Sequence, residues 1–140
     1  MTKSFRCLLD TNILSDLVRQ PQAAVARRIE EVGEEAICTS IIVAVELQFG
    51  AEISDSDKLV VRVNSILSAI DILPLESPAD REYGKLHHYL SRKGTLIGPN
   101  DMLIAAQALS SGLTVVTANA GEFSRVPGLN AEYRLTENLA

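Results

Sequence analysis

Gly98-Pro99-Asn100-Asp101-Met102-Leu103-Ile104-Ala105-Ala106-Gln107-Ala108-Leu109-Ser110-Ser111-Gly112-Leu113-Thr114-Val115-Val116-Thr117-Ala118-Asn119-Ala120-Gly121-Glu122-Phe123 reads as one αβ unit with polar groups at two places. Asn100 and Asp101 are N-cap residue types ahead of an apolar run, so a helix is predicted to start there, and Gly112 is its C′ stop. That helix is apolar nearly all the way round, as expected for one covered on most sides. Leu113 to Thr117 is short and β-branched, the pattern of a central strand in a parallel sheet with both faces covered. Its carboxyl end delivers Thr117, Asn119 and Glu122, and ligands of open α/β sheets bind at that end of the strands.

The beginning of the chain repeats the pattern. Phe5 to Leu9 is a short apolar strand, Asp10-Thr11-Asn12 follows with cap-type residues, and Ile13, Leu14, Leu17 and Val18 mark an amphipathic helix. Pro21 begins a second helical segment that runs to about Val32 and stops at Gly33. Ala36 to Thr39 is the next strand. Ser40 is a cap type, so a helix is predicted from Ser40 to about Glu52, although the β-branched run Ile41 to Val45 makes a longer strand its competitor. Glu46 is the sole charge in that helix before Glu52, and a lone carboxylate among apolar residues is costly unless paired, bound to a metal or turned to solvent.

Ser54 or Asp55 caps the following helix, which carries Leu59, Val60, Val63, Ile66, Leu67 and Ile70 on one face. Asp71 to Leu75 is a strand whose Pro74 suggests a sheet edge or a strand end. Ala79, Tyr83, Leu86 and Leu90 mark one more helix face, closed by Gly94, and the tail from Val126 to Ala140 adds a loop and one short strand. This alternation predicts a single α/β domain over residues 1–140, with three α/β/α layers, a central, mainly parallel sheet and right-handed crossovers.

With 140 residues, 46% of them hydrophobic and 22% charged, the chain suits one domain with a proper core. A net charge of −5 argues against a generally basic, nucleic-acid-coating protein but leaves a local groove open. Cys7 and Cys38 lie in apolar strand-like runs and read as buried thiols, which points to a reducing compartment. A cytoplasmic protein without membrane spans is expected. His87-His88, Arg27-Arg28 and Arg92-Lys93 read as solvated helix faces, with Arg92-Lys93 or Lys85 as a secondary reading for contact with RNA phosphates.

Asp10, Glu46, Asp101 and the pair Asn119 and Glu122 are distant in sequence, yet the topology brings them toward one edge of one sheet. Clustered carboxylates repel unless a cation is present, and hard oxygen ligands of this kind suit Mg²⁺ or Mn²⁺. Such ions keep waters, activate one as a nucleophile and neutralise a phosphodiester during displacement.

Four blocks run in order: Leu8-Leu9-Asp10-Thr11-Asn12; Glu46-Leu47 with Phe49-Gly50; Ile97-Gly98-Pro99-Asn100-Asp101 with Ile104-Ala105-Ala106; and Val116-Thr117-Ala118-Asn119 with Glu122-Phe123 and Val126-Pro127-Gly128-Leu129. Together they resemble the PIN-domain ribonucleases, and most closely the VapC toxins of bacterial type II toxin–antitoxin modules. The resemblance implies a Mg²⁺- or Mn²⁺-dependent endoribonuclease that cuts a structured RNA, often a tRNA. It also implies a homodimer, or a hetero-oligomer with a cognate VapB-type antitoxin. At the matching positions, Asp10 and Asp101 resemble direct metal ligands, Glu46 the carboxylate that binds metal or its water, and Thr117 and Asn12 the orienting polar residues. Many relatives carry Asp where this chain has Asn119. The amide can accept through its carbonyl, and Glu122 could restore the charge.

Two other readings compete. A phosphoacceptor would use Asp10 as its nucleophile, but no Lys follows Val115-Val116 and no second Asp adjoins Asp10. A degenerate relative would bind RNA or a partner protein without cutting, and Asn119 is the residue that favours it.

Overall fold

The computed structural model describes residues 5–20 and 24–133. In chain order the elements are β1 (Cys7–Leu9), α1 (Thr11–Arg19), α2 (Ala24–Val32), a 3₁₀ turn (Glu34–Ala36), β2 (Ile37–Ser40), α3 (Ile41–Ile53), α4 (Asp57–Ser68), β3 (Asp71–Leu73), α5 (Ala79–Lys93), α6 (Pro99–Ser111), β4 (Thr114–Thr117), α7 (Ala120–Phe123) and β5 (Ala131–Tyr133). The five strands form one sheet in the order β3-β2-β1-β4-β5, and every pair is parallel. Both readings of Pro74 hold, since β3 is an edge strand and stops at Leu73 rather than running to Leu75, a proline having no N–H for the ladder, while β5 closes the opposite edge.

From β1 the chain steps outward through β2 to β3, then returns across the sheet to β4. With right-handed crossovers this reversal puts the earlier helices on one face and the later ones on the other. Accordingly α1 packs with α2, α3 and α4, and α5 packs against α6. The reversal lies between β1 and β4, which is the switch point where α/β sheets open a crevice. The register pairs Leu9 with both Thr39 and Val116, so Asp10, Ser40 and Thr117 sit at one level, a residue further along. The core is built on Leu8, Leu9, Cys38, Val115 and Val116 from the central strands, with Ile13, Leu14, Val43, Leu90, Ile104 and Phe123 packed on them. Cys7 and Cys38 are both buried, and neither is in a disulfide.

Local chemistry fixes most element ends. Ser40 caps α3 by accepting from the Ile42 N–H at 2.9 Å, so the β-branched run that follows is helix, not strand. Gly94 and Gly112 terminate α5 and α6 in the left-handed conformation, with φ of 67° and 68°. Two expectations need correction. α6 starts earlier than the Asn100-Asp101 pair implied: Gly98 is its N-cap and Pro99 occupies the first turn, where a missing N–H costs nothing. Asp101 is therefore not consumed as a cap. Likewise α4 is capped by Ser56, whose Oγ accepts from the Leu59 N–H at 3.2 Å, because Ser54 closes α3 and Asp55 makes the reversal at φ 58°. Pro21, the proposed start of the second helix, lies outside the described residues.

α6 is buried at Met102, Ile104, Ala105, Ala106, Gln107 and Ala108, as its uniform apolarity required. The Gln107 Nε2 donates to Leu73 O at 3.2 Å and Pro74 O at 3.0 Å, which ties α6 to the end of the edge strand. Among the described residues, no helix is long and apolar enough to cross a membrane.

Candidate active site

Asp10 is set first, by the sheet itself. Its N–H donates to Val116 O at 2.9 Å, extending the β1–β4 ladder by one residue and clamping its Cα against β4. The side chain then caps α1, with Oδ1 accepting from the Thr11 N–H at 2.7 Å. Its other oxygen accepts from the Thr117 hydroxyl at 2.8 Å, and the same Thr117 Oγ1 accepts from the Asn119 N–H at 2.8 Å. Both Asp10 and Thr117 are buried. Burial raises the Asp10 carboxyl above its ordinary value, against the two hydrogen bonds and with help from Glu46 and Glu122.

Glu46 reaches the same place from α3. One of its oxygens accepts from the Thr11 hydroxyl and the other from Asn100 Nδ2 at 3.1 Å, so it bridges the first turns of α1 and α6. This is how the lone carboxylate of an apolar helix is accommodated. Asp101 stands in the first turn of α6, partly buried. Burial, then the charge of Asp10, and then Glu122 push its carboxyl up to about 7, with Glu46 adding to the effect. A helix N-terminus ordinarily favours an ionised carboxylate, so here burial and crowding by like charges outweigh the dipole.

Glu122, on α7, is the fourth carboxylate. Its Oε1 accepts from the Gly98 N–H at 2.8 Å and its Oε2 from Asn119 Nδ2 at 3.0 Å, and these bonds hold it below the usual range. A Cβ placed on Gly98 would lie 3.6 Å from Glu122 Oε1 and 4.0 Å from Asp101 Oδ2, so both carboxylates flank the same stretch of backbone. The amide of Asn119 thus serves as a donor that orients Glu122, and Glu122 carries the negative charge.

Of the residues singled out from sequence, Asp10, Glu46, Asp101, Thr117, Asn119 and Glu122 converge on this crevice. Asn12 does not: it is exposed on α1. The residues that do orient Glu46 are Thr11 and Asn100, which the sequence reading treated as cap types. His87 packs edge-on against Tyr83, with ring centroids 5.5 Å apart, and His88 is exposed. Among the described residues, no three His, Cys, Asp or Glu side chains already stand in an arrangement that would hold an ion. The oxygens of Asp10, Glu46 and Glu122 accept from Thr, Asn and backbone donors. The donor set itself is hard oxygen and collectively anionic, the kind that Mg²⁺-like cations take.

A family model describing the PIN domain matches residues 7–129. The chain belongs to the PIN-domain family. Within it, the chain is 35% identical over 126 residues to the tRNA(fMet)-specific endonuclease VapC of Shigella flexneri, a match covering 89% of this chain and 95% of that one. It is 36% identical over 127 residues to Ribonuclease VapC2 of Haemophilus influenzae, at 89% and 95% coverage. Among solved structures, VapBC2 of Rickettsia felis bound to a promoter DNA fragment is similar at a TM-score of 0.86 and 31% identity, over 92% of this chain and 98% of that chain. The PIN fold and its parallel sheet are therefore those of the VapC ribonucleases, and the chain is an endoribonuclease by class. That sets aside the phosphoacceptor reading of Asp10.

Proposed function

We propose that this PIN domain is the toxin of a type II toxin–antitoxin module and cuts a structured RNA, of the tRNA class, in a reaction that depends on Mg²⁺ or Mn²⁺. The observation that carries the reading is the convergence of Asp10, Glu46, Asp101 and Glu122 at the switch point, with Asp101 pushed up to about 7. Such crowding is relieved by a cation. Asp10 and Asp101 would hold it directly, and Glu46 would hold it or a water on it, through carboxylate lone pairs that the Thr and Asn donors leave unused. When bound, the cation supplies an acidified water and offsets charge building on the phosphodiester. Thr117 and Thr11 keep Asp10 and Glu46 aimed into the crevice, and Asn119 keeps Glu122 there. The tRNA class is supported by the name of the Shigella relative. Because Glu122 occupies the crevice and Asn119 only orients it, the Asn119 departure does not favour a non-cutting relative.

A cognate antitoxin is supported by the VapBC complexes among similar structures. The acidic crevice suits a basic segment of such a partner. A homodimer is supported by α3: Ile41, Val45, Phe49 and Ile53 are 40, 57, 64 and 67% exposed. They recur every four residues and form a ridge suited to packing on its own copy. The other apolar helix face, from Leu59 to Ile70, packs against the core and is not available for that role. The cytoplasm, where the RNA is, would be the site of action.

The test is cleavage of a tRNA pool by antitoxin-free protein with Mg²⁺, Mn²⁺ or EDTA, beside Asp10→Asn and Asp101→Asn. A discrete, metal-requiring cut lost in both variants is expected. Cleavage that persists in EDTA or in either variant removes the reading.

A further inference from the structure

Arg125 takes no part in the carboxylate cluster, yet it stands at its rim. It follows α7 after Ser124, and its backbone N–H donates to Glu122 O at 3.1 Å. The exposed side chain reaches across to the loop before α6, where Nη1 donates to Leu96 O at 3.2 Å. Leu96 is two residues from Gly98, whose N–H holds Glu122. Its charge helps lower Glu122, whose two oxygens accept from the Gly98 N–H and the Asn119 amide. Among the described residues the guanidinium makes one hydrogen bond, which leaves most of its five N–H donors open.

A clamp on an exposed carbonyl is weak and asks for no full positive charge. RNA, by contrast, brings a row of phosphates to a chain of net charge −5 and to a crevice with four carboxylates. A guanidinium held at one nitrogen keeps its planar fork set for two parallel bonds to a phosphate. We propose that Arg125, braced by Leu96 O, anchors an RNA phosphate flanking the cut. This rests on the ribonuclease reading and names the side of the crevice along which the backbone runs, past the loop from Gly94 to Gly98.

The experiment compares wild type, Arg125→Ala and Arg125→Lys on a tRNA pool in Mn²⁺ over a KCl series. Arg125→Ala should raise KM about tenfold with kcat within about twofold, since phosphate contacts position the substrate. The slope of log(kcat/KM) against log[KCl] should become shallower by about 0.7 to 0.9, the release of one counterion. Arg125→Lys should restore the slope but only part of the KM, having charge without the fork. An unchanged KM and slope in Arg125→Ala overturns the proposal. So does a loss confined to kcat or to thermal stability, which would mark a structural clamp. If wild type binds tRNA without cutting it, the ribonuclease reading fails alone, and the salt slope of binding then decides Arg125. If wild type neither binds nor cuts, both fall.

Discussion

Thr117→Val tests whether the buried hydroxyl at the end of β4 is what aims Asp10. Valine keeps the shape but removes a donor to Asp10 Oδ2 at 2.8 Å and an acceptor for the Asn119 N–H at 2.8 Å. A bond to a carboxylate contributes about 1.5–3 kcal/mol, and leaving a partly buried N–H without a partner adds about 1, so the loss should be about 2–4 kcal/mol. For a domain of this size that is a drop of roughly 5–15 °C in Tm. The effect on chemistry has a definite sign. The Thr117 bond opposes burial in setting the Asp10 carboxyl, so its removal raises that carboxyl further and shifts the acid limb of the pH–rate profile to higher pH. Urea unfolding followed by circular dichroism, in EDTA at neutral pH, gives the first quantity, and tRNA cleavage across pH gives the second. Thr117→Ser should return both toward wild type. Stability within about 0.5 kcal/mol of wild type together with an unmoved acid limb would refute the reasoning, because that is the range of an unimportant surface change.

Asp101→Asn should flatten the pH dependence of stability in EDTA. The folded carboxyl sits at about 7 against 3.8 ordinarily, so its contribution is complete below the lower value and is lost as pH rises through 7. Wild type should therefore weaken across that window, with Asp10 adding in the same sense, while Glu122, lowered from 4.5, acts in the opposite sense and only as pH falls below that value, outside the range measured. Urea midpoints at pH 5, 6, 7 and 8 that fall no less steeply in the variant exclude the effect. Phe49→Glu puts a charge in the exposed α3 ridge and should shift the species in light scattering from twice the 15.2 kDa chain mass to that mass; a wild-type monomer, or an unaltered variant dimer, removes this interface. Arg92→Ala with Lys93→Ala should weaken tRNA binding and flatten its salt dependence if the end of α5 also meets phosphates. There Lys93 Nζ lies 5.4 Å from the Tyr89 ring centroid, and unchanged binding would leave that pair as an ordinary solvated surface.

Much of the molecule was legible because its rules are local. β-branched runs, a helix apolar all round, a Ser before Ile41 and glycines after Lys93 and Ser111 each state what their own neighbourhood must do, and the strands and longer helices followed, whereas the four-residue α7 that carries Glu122 is too short to show a period. The parallel order and one-sided strand ends followed from crossover handedness, which is why Asp10, Glu46, Asp101 and Glu122 could be assigned to one edge. Tertiary structure decided which partner each polar group takes. Thr11 and Glu46 are 35 residues apart, Gly98 and Glu122 are 24 apart, and no periodicity encodes those pairings. It also released Asp101 from capping duty, because Pro99 moved the helix start, and it left Asn12 on the outside. Which side of α3 meets solvent was likewise invisible in the sequence, since a helix apolar on every face carries no moment to orient it. Only the packing of α1 and α4 against its other side leaves Ile41, Val45, Phe49 and Ile53 uncovered.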